Sequence, residues 1–252
     1  LAILSRIYQK LLFIFLLKSG PYKFNFLITD IPKNKLLSFI QKNDVIVIHS
    51  VQGTILPNWL VDIYSITNVP IIISSKDMET YTGGCHFNFG CQNYISGCGN
   101  CPQLTISYNN DLSRKNMYQK HKILANLPHI LITGSSPVQK IADDSYLFKK
   151  SSKEAIIAGI DKERYTFRTK EEARNIFGIP FDDKVILFGC FNLNDPRKGG
   201  DLLKKAISII IKQNTFGTNN DLHLVTFGNA NGFQFSHVKW THLGIIPSTN
   251  KM

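Results

Sequence analysis

From residue 44 onward, short apolar runs rich in β-branched residues alternate with longer stretches of helical spacing, and that alternation leaves few folds open. Residues 44–49, 69–74 and 130–133 read as buried strands, and 185–188 and 222–227 repeat the pattern, with another run starting at Trp240. Helical spacing fills 56–66, 110–126, 137–148 and 201–212 between them. Pro57 and Pro137 stand where a missing N–H is harmless at a helix start. Leu202, Leu203, Ala206, Ile207, Ile210 and Ile211 share one side of the last of these helices. Strand, helix, strand in this order implies parallel sheets with right-handed crossovers and helices over both faces. The expected class is α/β.

At 252 residues the chain can bury one large core or two modest ones. Residues 155–159 close the first run of elements. Residues 160–182 are charged and carry only a short helical pattern near 171–177, stopped by Gly178 and Pro180. The expectation is a first domain over 1–159 with a cysteine-rich insertion at 83–104, a linker over 160–182 and a second domain over 183–252. The second half offers about three strands, so Val225 and Phe227 are expected to lack cover. The first residue is not methionine, and both ends read as truncated.

Four of the five cysteines, Cys85, Cys91, Cys98 and Cys101, fall within seventeen positions just after the 69–74 strand. Glycines among them imply tight turns that let sulfurs converge. A closed tetrahedral zinc site would bring all four sulfurs within about 4 Å of one another, given Zn–S near ~2.3 Å. Such a site is structural, with no open position for chemistry. A disulfide pair or buried free thiols fit the spacing too. Cys190, in an apolar run, reads as a small buried hydrophobe.

A second signal lies about a hundred residues on. The 185–188 strand ends at Gly189, and Asp195-Pro-Arg-Lys-Gly leads through Gly199 and Gly200 into a helix. Glycines at a strand-to-helix turn expose backbone N–H groups to an anion at the positive helix end. Arg197 offers a planar fork for phosphate oxygens and Lys198 a point charge. An ordinary solvated basic turn has the same composition. Lys76 and Asp77 follow the 69–74 strand and His49 ends the strand before it, the positions where α/β folds gather ligands. His86 is a candidate substrate contact or substitute metal ligand.

The net charge of +11 favours anionic partners: nucleotide phosphates, acidic lipid headgroups or nucleic acid. Residues 1–17 contain Leu11-Leu-Phe-Ile-Phe-Leu-Leu between Lys10 and Lys18. That run is too short for the ~20 apolar residues of a spanning helix and lacks a signal-cleavage pattern. It reads as a helix, buried or resting on a membrane surface. With no export signal the expected location is cytoplasmic, at the inner membrane face if that helix docks, where thiols stay reduced.

Asp77-Met78, Thr82-Gly-Gly-Cys-His86 and Gly97-Cys-Gly-Asn-Cys-Pro-Gln-Leu104 together resemble the signature of a bacterial subgroup of family 4 glycosyltransferases. Ile156 to Asp161, Ala173-Arg174 before Phe177-Gly-Ile-Pro180, and Pro196-Arg-Lys-Gly199 resemble the same family in the same order, over roughly residues 40 to 250. The resemblance implies a GT-B architecture of two Rossmann-like domains, acceptor-binding first and donor-binding second. It implies retaining sugar transfer from a nucleotide-sugar to a saccharide or lipid-linked acceptor in cell-surface polysaccharide synthesis, with no catalytic metal. Lys198 and Arg197, with Gly189 and Gly199, would hold the donor diphosphate. Lys76, Asp77 and His86 would serve the acceptor. Lys76 stands where such proteins usually have His, Glu79 where they have an aromatic residue, and Ala158 where they have Asn. The acidic donor-binding motif and the first Gly-rich turn are absent from the sequence.

Two other readings stand beside this one. A basic zinc protein that binds nucleic acid would use the cysteines with Phe87, Phe89 and Tyr94, but needs basic residues interleaved with them. No Lys or Arg occurs between Asp77 and Asp111, so nucleic acid is not an expected partner. The third reading is a catalytically inactive remnant of a glycosyltransferase.

Overall fold

The computed structural model describes residues 2–28, 31–49, 57–213, 222–235 and 238–246. The chain divides into two compact units, Leu1–Gly159 and Ile160–Met252. Each is α/β and each contains one sheet of parallel strands.

The first unit opens with helices α1 (Ala2–Leu16) and α2 (Lys33–Ile40). Strand β1 (Ile46–Ile48), helix α3 (Pro57–Thr67), strand β2 (Ile71–Ser74), helix α4 (Leu112–Leu124), strand β3 (His129–Thr133), helix α5 (Ser136–Asp144) and strand β4 (Ser152–Ala155) follow. The sheet order is β1-β2-β3-β4. Parallel strands laid down in sequential order with crossovers of one hand carry their helices on one face. The packing shows it. Ile48, Ile73 and Leu131 pair across the sheet and face Leu60 and Tyr64 of α3, Met117 and Leu124 of α4 and Ala142 of α5. The row Val47, Ile72 and Ile130 lies on the other face, where Val47 and Ile130 are exposed. The expectation of two covered faces fails here because the strand order never reverses.

The second unit contains helix α6 (Lys170–Phe177), strand β5 (Lys184–Asn192), helix α7 (Gly200–Gln213), strand β6 (Leu222–Asn229) and strand β7 (Lys239–His242), in sheet order β5-β6-β7. Ile207, Leu203, Ile210 and Ile211 of α7 pack on Ile186, Leu222, Leu224 and Trp240. Val225 is buried and Phe227 half-buried, contrary to the expected lack of cover. The opening falls on β5 instead, where Leu187 and Phe191 are 65% and 83% exposed.

Helix α6 lies inside the span read as a linker, yet it is tied into this unit. Thr169 and Glu172 form a reciprocal capping box at its start, and Gly178 ends it in the left-handed region. Buried Arg174 donates to the carbonyls of Pro180 and Asp183, and Asp183 in turn accepts from His223 at 2.9 Å and Lys239 at 2.6 Å. An arginine held by two carbonyls reads in sequence like any solvated helix charge.

Candidate functional site

The segment between β2 and α4 carries most of the chemistry, and the N-terminal strand-like segment holds it in place. Asn25 N–H donates to Gly84 O at 2.8 Å, His86 N–H to Lys23 O at 3.0 Å and Lys18 N–H to Gln103 O at 3.0 Å. The approach is so close that a Cβ on Gly84 would lie 2.5 Å from the Phe24 ring, and one on Gly83 would lie 1.8 Å from Ser113 O. This is why two glycines stand together before Cys85.

Below this strap is a buried ion pair. Lys120, on α4, donates to Glu79 Oε1 at 2.5 Å, Glu79 O at 2.8 Å and Thr82 O at 3.1 Å. Asn25 Nδ2 donates to the same Glu79 oxygen at 3.0 Å. Three donations satisfy the ammonium. The acidic residue at position 79 thus has a structural partner fixed forty-one positions away.

Beside the pair, polar groups gather at the end of β2. Asp77 caps a 3-10 turn (Met78–Tyr81), its Oδ1 accepting from Glu79 N–H at 2.9 Å, while Oδ2 lies 2.7 Å from His86 Nδ1. Burial pushes the Asp77 carboxyl up, but the hydrogen bond and charge of His86 outweigh it and hold the group below its ordinary range. A carboxylate at Oδ2 requires the proton on Nδ1, which leaves the Nε2 lone pair of neutral imidazole free to accept. His86 is 7% exposed, and Nε2 has no hydrogen-bond partner.

Two buried hydroxyls, Ser75 Oγ and Tyr81 Oη, sit nearby within reach of each other. Burial raises the Tyr81 phenol, and Ser75 is close enough to lower it in part. Ser75, Tyr81 and His86 all line one cavity of about 710 Å³ with Lys76, Asp77 and the start of α5. A buried polar atom without a partner costs about 1–3 kcal/mol, and His86 brings such an atom to this cavity. The volume is that of a small-molecule site.

Of the residues read from sequence, Lys76, Asp77 and His86 come together here, with Lys76 exposed at the edge. His49 does not join them. It is exposed and borders a separate apolar cavity of about 60 Å³ beside the Glu79–Lys120 pair. Ser75 and Tyr81 were missed. Ser75 follows the last strand residue, which is the one signal that could have marked it.

The four clustered thiols border a second, small cavity of about 20 Å³. They serve different apolar clusters: Cys98 packs with Tyr81, Tyr94 and Met117, and Cys85 and Cys101 with Leu17, Phe24 and Leu104. Among the described residues no group of three or more His, Cys, Asp or Glu is placed to hold a metal ion. Burial pushes the Cys85 and Cys98 thiols from an ordinary 9.0 to about 12. Cys98 Sγ accepts from Gly83 N–H at 3.3 Å. Cys190 is half-buried, its thiol donating to Asn192 O at 3.1 Å.

In the second unit, Gly189 is not at a strand end. It lies within β5, where a Cβ would come within 2.1 Å of the Phe227 ring. Its small size serves packing. Pro196–Lys198 form a 3-10 turn capped by Asp195, and Gly199 follows in the left-handed region at φ 79°. Arg197 pairs with Asp195, which accepts from its Nε at 2.9 Å and from Nη2. That hydrogen bond holds Asp195 below its usual range and raises Arg197. Lys198 is exposed.

No protein-family model matches the chain, and no curated protein is significantly similar to it.

Proposed function

We propose that the chain is part of a glycosyltransferase of GT-B type, moving a sugar from a nucleotide-sugar to a hydroxyl of a saccharide or lipid-linked acceptor. One observation carries this reading: the Asp77–His86 pair, whose two residues line a cavity of about 710 Å³ together with Ser75 and Tyr81. The sequence resemblance supplies the reaction class, and the pair supplies what a hydroxyl acceptor needs.

The acceptor hydroxyl donates to His86 Nε2. As its oxygen bonds to the anomeric carbon from the face that the diphosphate leaves, so that configuration is retained, the bond from that carbon to the diphosphate oxygen breaks and the leaving group takes the electron pair. The hydroxyl proton passes to Nε2, and the Asp77 carboxylate stabilises the imidazolium that forms. Ser75 and Tyr81 orient the acceptor by hydrogen bonds. The turn at Lys198 of the second unit would by itself hold a diphosphate through its positive charge.

A donor survey tests the reading. Purified chain is incubated with a panel of nucleotide-sugars and a lipid or oligosaccharide extract, and released nucleoside diphosphate is measured. Acceptor-dependent release that His86→Ala abolishes supports the proposal. Failure of every donor to bind or turn over, or full activity in His86→Ala, would sink it.

A further inference from the structure

Helix α1 turns an apolar side outward. Ile7, Leu11, Ile14 and Phe15 recur at i, i+4, i+7 and i+8 and are 50%, 44%, 69% and 69% exposed. A surface helix normally packs such a stripe inward. Here Phe13 packs inward instead, against the cluster of Leu17, Phe24 and Leu104. The orientation is held by main-chain bonds at the helix end. Thr105 N–H donates to Leu16 O at 2.9 Å and its hydroxyl to Phe15 O at 2.8 Å, while Leu17 bridges Leu104. The same strap sets Ile106, 65% exposed, beside the stripe, over a groove of about 200 Å³ that Leu16, Leu104 and Lys115 help to line. Joined apolar residues of this kind on a surface mark a place of contact.

The charge around the stripe says what it contacts. Residues 80–110, which supply Ile106, contain no charged residue of either sign. Lys10 on the helix and Lys18 just after it are both exposed. An apolar stripe flanked by one-signed positive charge suits an anionic bilayer surface, where apolar side chains enter the boundary of headgroup and acyl chain and lysines meet phosphates. Fifteen helical residues span about 22 Å, less than the ~30 Å hydrocarbon core. Among the described residues no helix is long and apolar enough to cross a membrane.

We propose that α1, with Ile106, docks the protein on an anionic lipid surface, the helix lying in the interface with Ile7, Leu11, Ile14 and Phe15 towards the acyl chains. This docking does not depend on the transfer reaction proposed above.

The test is sedimentation of the full chain with vesicles of phosphatidylcholine alone and of phosphatidylcholine mixed with phosphatidylglycerol, at low and high salt. Binding to the mixed vesicles is expected, at least about tenfold tighter than to neutral ones and weakened by salt. The paired change Ile14→Ser with Phe15→Ser should lower it by about tenfold or more. Lys10→Gln and Lys18→Gln should each lower it roughly fivefold. All four side chains are exposed, so circular dichroism and the melting temperature should stay as in the parent chain. Absence of vesicle binding, or binding that neither pair of changes alters, would overturn the proposal. So would a dimer in light scattering that Phe15→Ser dissolves while vesicles are ignored, since the stripe would then face a second copy.

Discussion

The cavity beside Asp77 and the turn around Lys198 are the two places where the sequence concentrates candidate chemistry, and they differ in how their polar groups are satisfied. At the turn, Arg197 already has its carboxylate two residues away, and Lys198 stands in water. The turn needs nothing more to be stable. At the cavity, Asp77 has both oxygens engaged while His86 keeps its buried Nε2 unmatched. Unmatched buried groups persist only where the surrounding structure holds them, and the Glu79–Lys120 pair with its N-terminal strap does so here. Motif strength alone does not separate the two places. Residual hydrogen-bonding capacity does.

That contrast can be broken by experiment. The support beneath the cavity should give the largest effect. Lys120→Met leaves Glu79 charged and buried, so chemical denaturation should show a loss of about 3–5 kcal/mol. Combining it with Glu79→Leu should recover much of that loss. A loss below about 1 kcal/mol for the single change would mean water reaches the pair and the cavity floor is not rigid.

Next comes the cavity's own chemistry. His86→Ala should lower acceptor-dependent turnover by about 10²–10⁴-fold, the range of general-base catalysis, with donor binding little changed. Asp77→Asn should also slow turnover, because an amide can donate to Nδ1 and turn the proton to Nε2. A pH–rate profile in which His86→Ala keeps the parent's acid limb would assign the base elsewhere.

The turn should answer more weakly. Lys198→Ala is expected to weaken nucleoside-diphosphate binding by about 1.5–3 kcal/mol in calorimetry, the range for hydrogen bonds to charged groups. Unchanged affinity would reduce the turn to the satisfied solvated loop that its Asp195–Arg197 pair already resembles.

A further effect is a slope with pH. The folded chain keeps Cys85 and Cys98 protonated up to about 12, whereas an ordinary thiol ionises near 9.0. Between those values the folded state binds the extra protons, so stability falls as pH rises, by about 1.4 kcal/mol per pH unit for each thiol. Asp77 acts in the opposite sense: its depressed pKa contributes stability that disappears as pH falls through the folded value. Denaturation midpoints that stay flat above pH 9, or rapid native-state alkylation of Cys85, would show thiolates in the fold.

Much of this molecule was legible in local pattern. Every strand read from sequence is present, and the helices fall within a few residues of their expected ends, because burial of apolar residues at periods of 2.0 and 3.6 is a local signal. Asp77 and His86 could be named as candidates because the strand-end position and the resemblance both point there. Helix α2 was not read, since its short Lys-Asn-Lys-Leu-Leu run carries little periodicity.

What the sequence by itself determined is therefore the α/β class, the order of the elements other than α2 and β4, and the neighbourhood of the candidate site. Tertiary structure alone decided the rest. It ordered β1 to β4 sequentially and so left Val47 and Ile130 uncovered. It put Cys98 in one apolar cluster and Cys85 and Cys101 in another, and it turned position 79 into half of a buried ion pair. It also placed Ser75 and Tyr81 beside His86 while closing Arg197 onto its own turn. The physical reason is common to all of these. Periodicity reports which residues leave water, but which polar atoms meet, and which are left without a partner, depends on contacts between segments tens of residues apart.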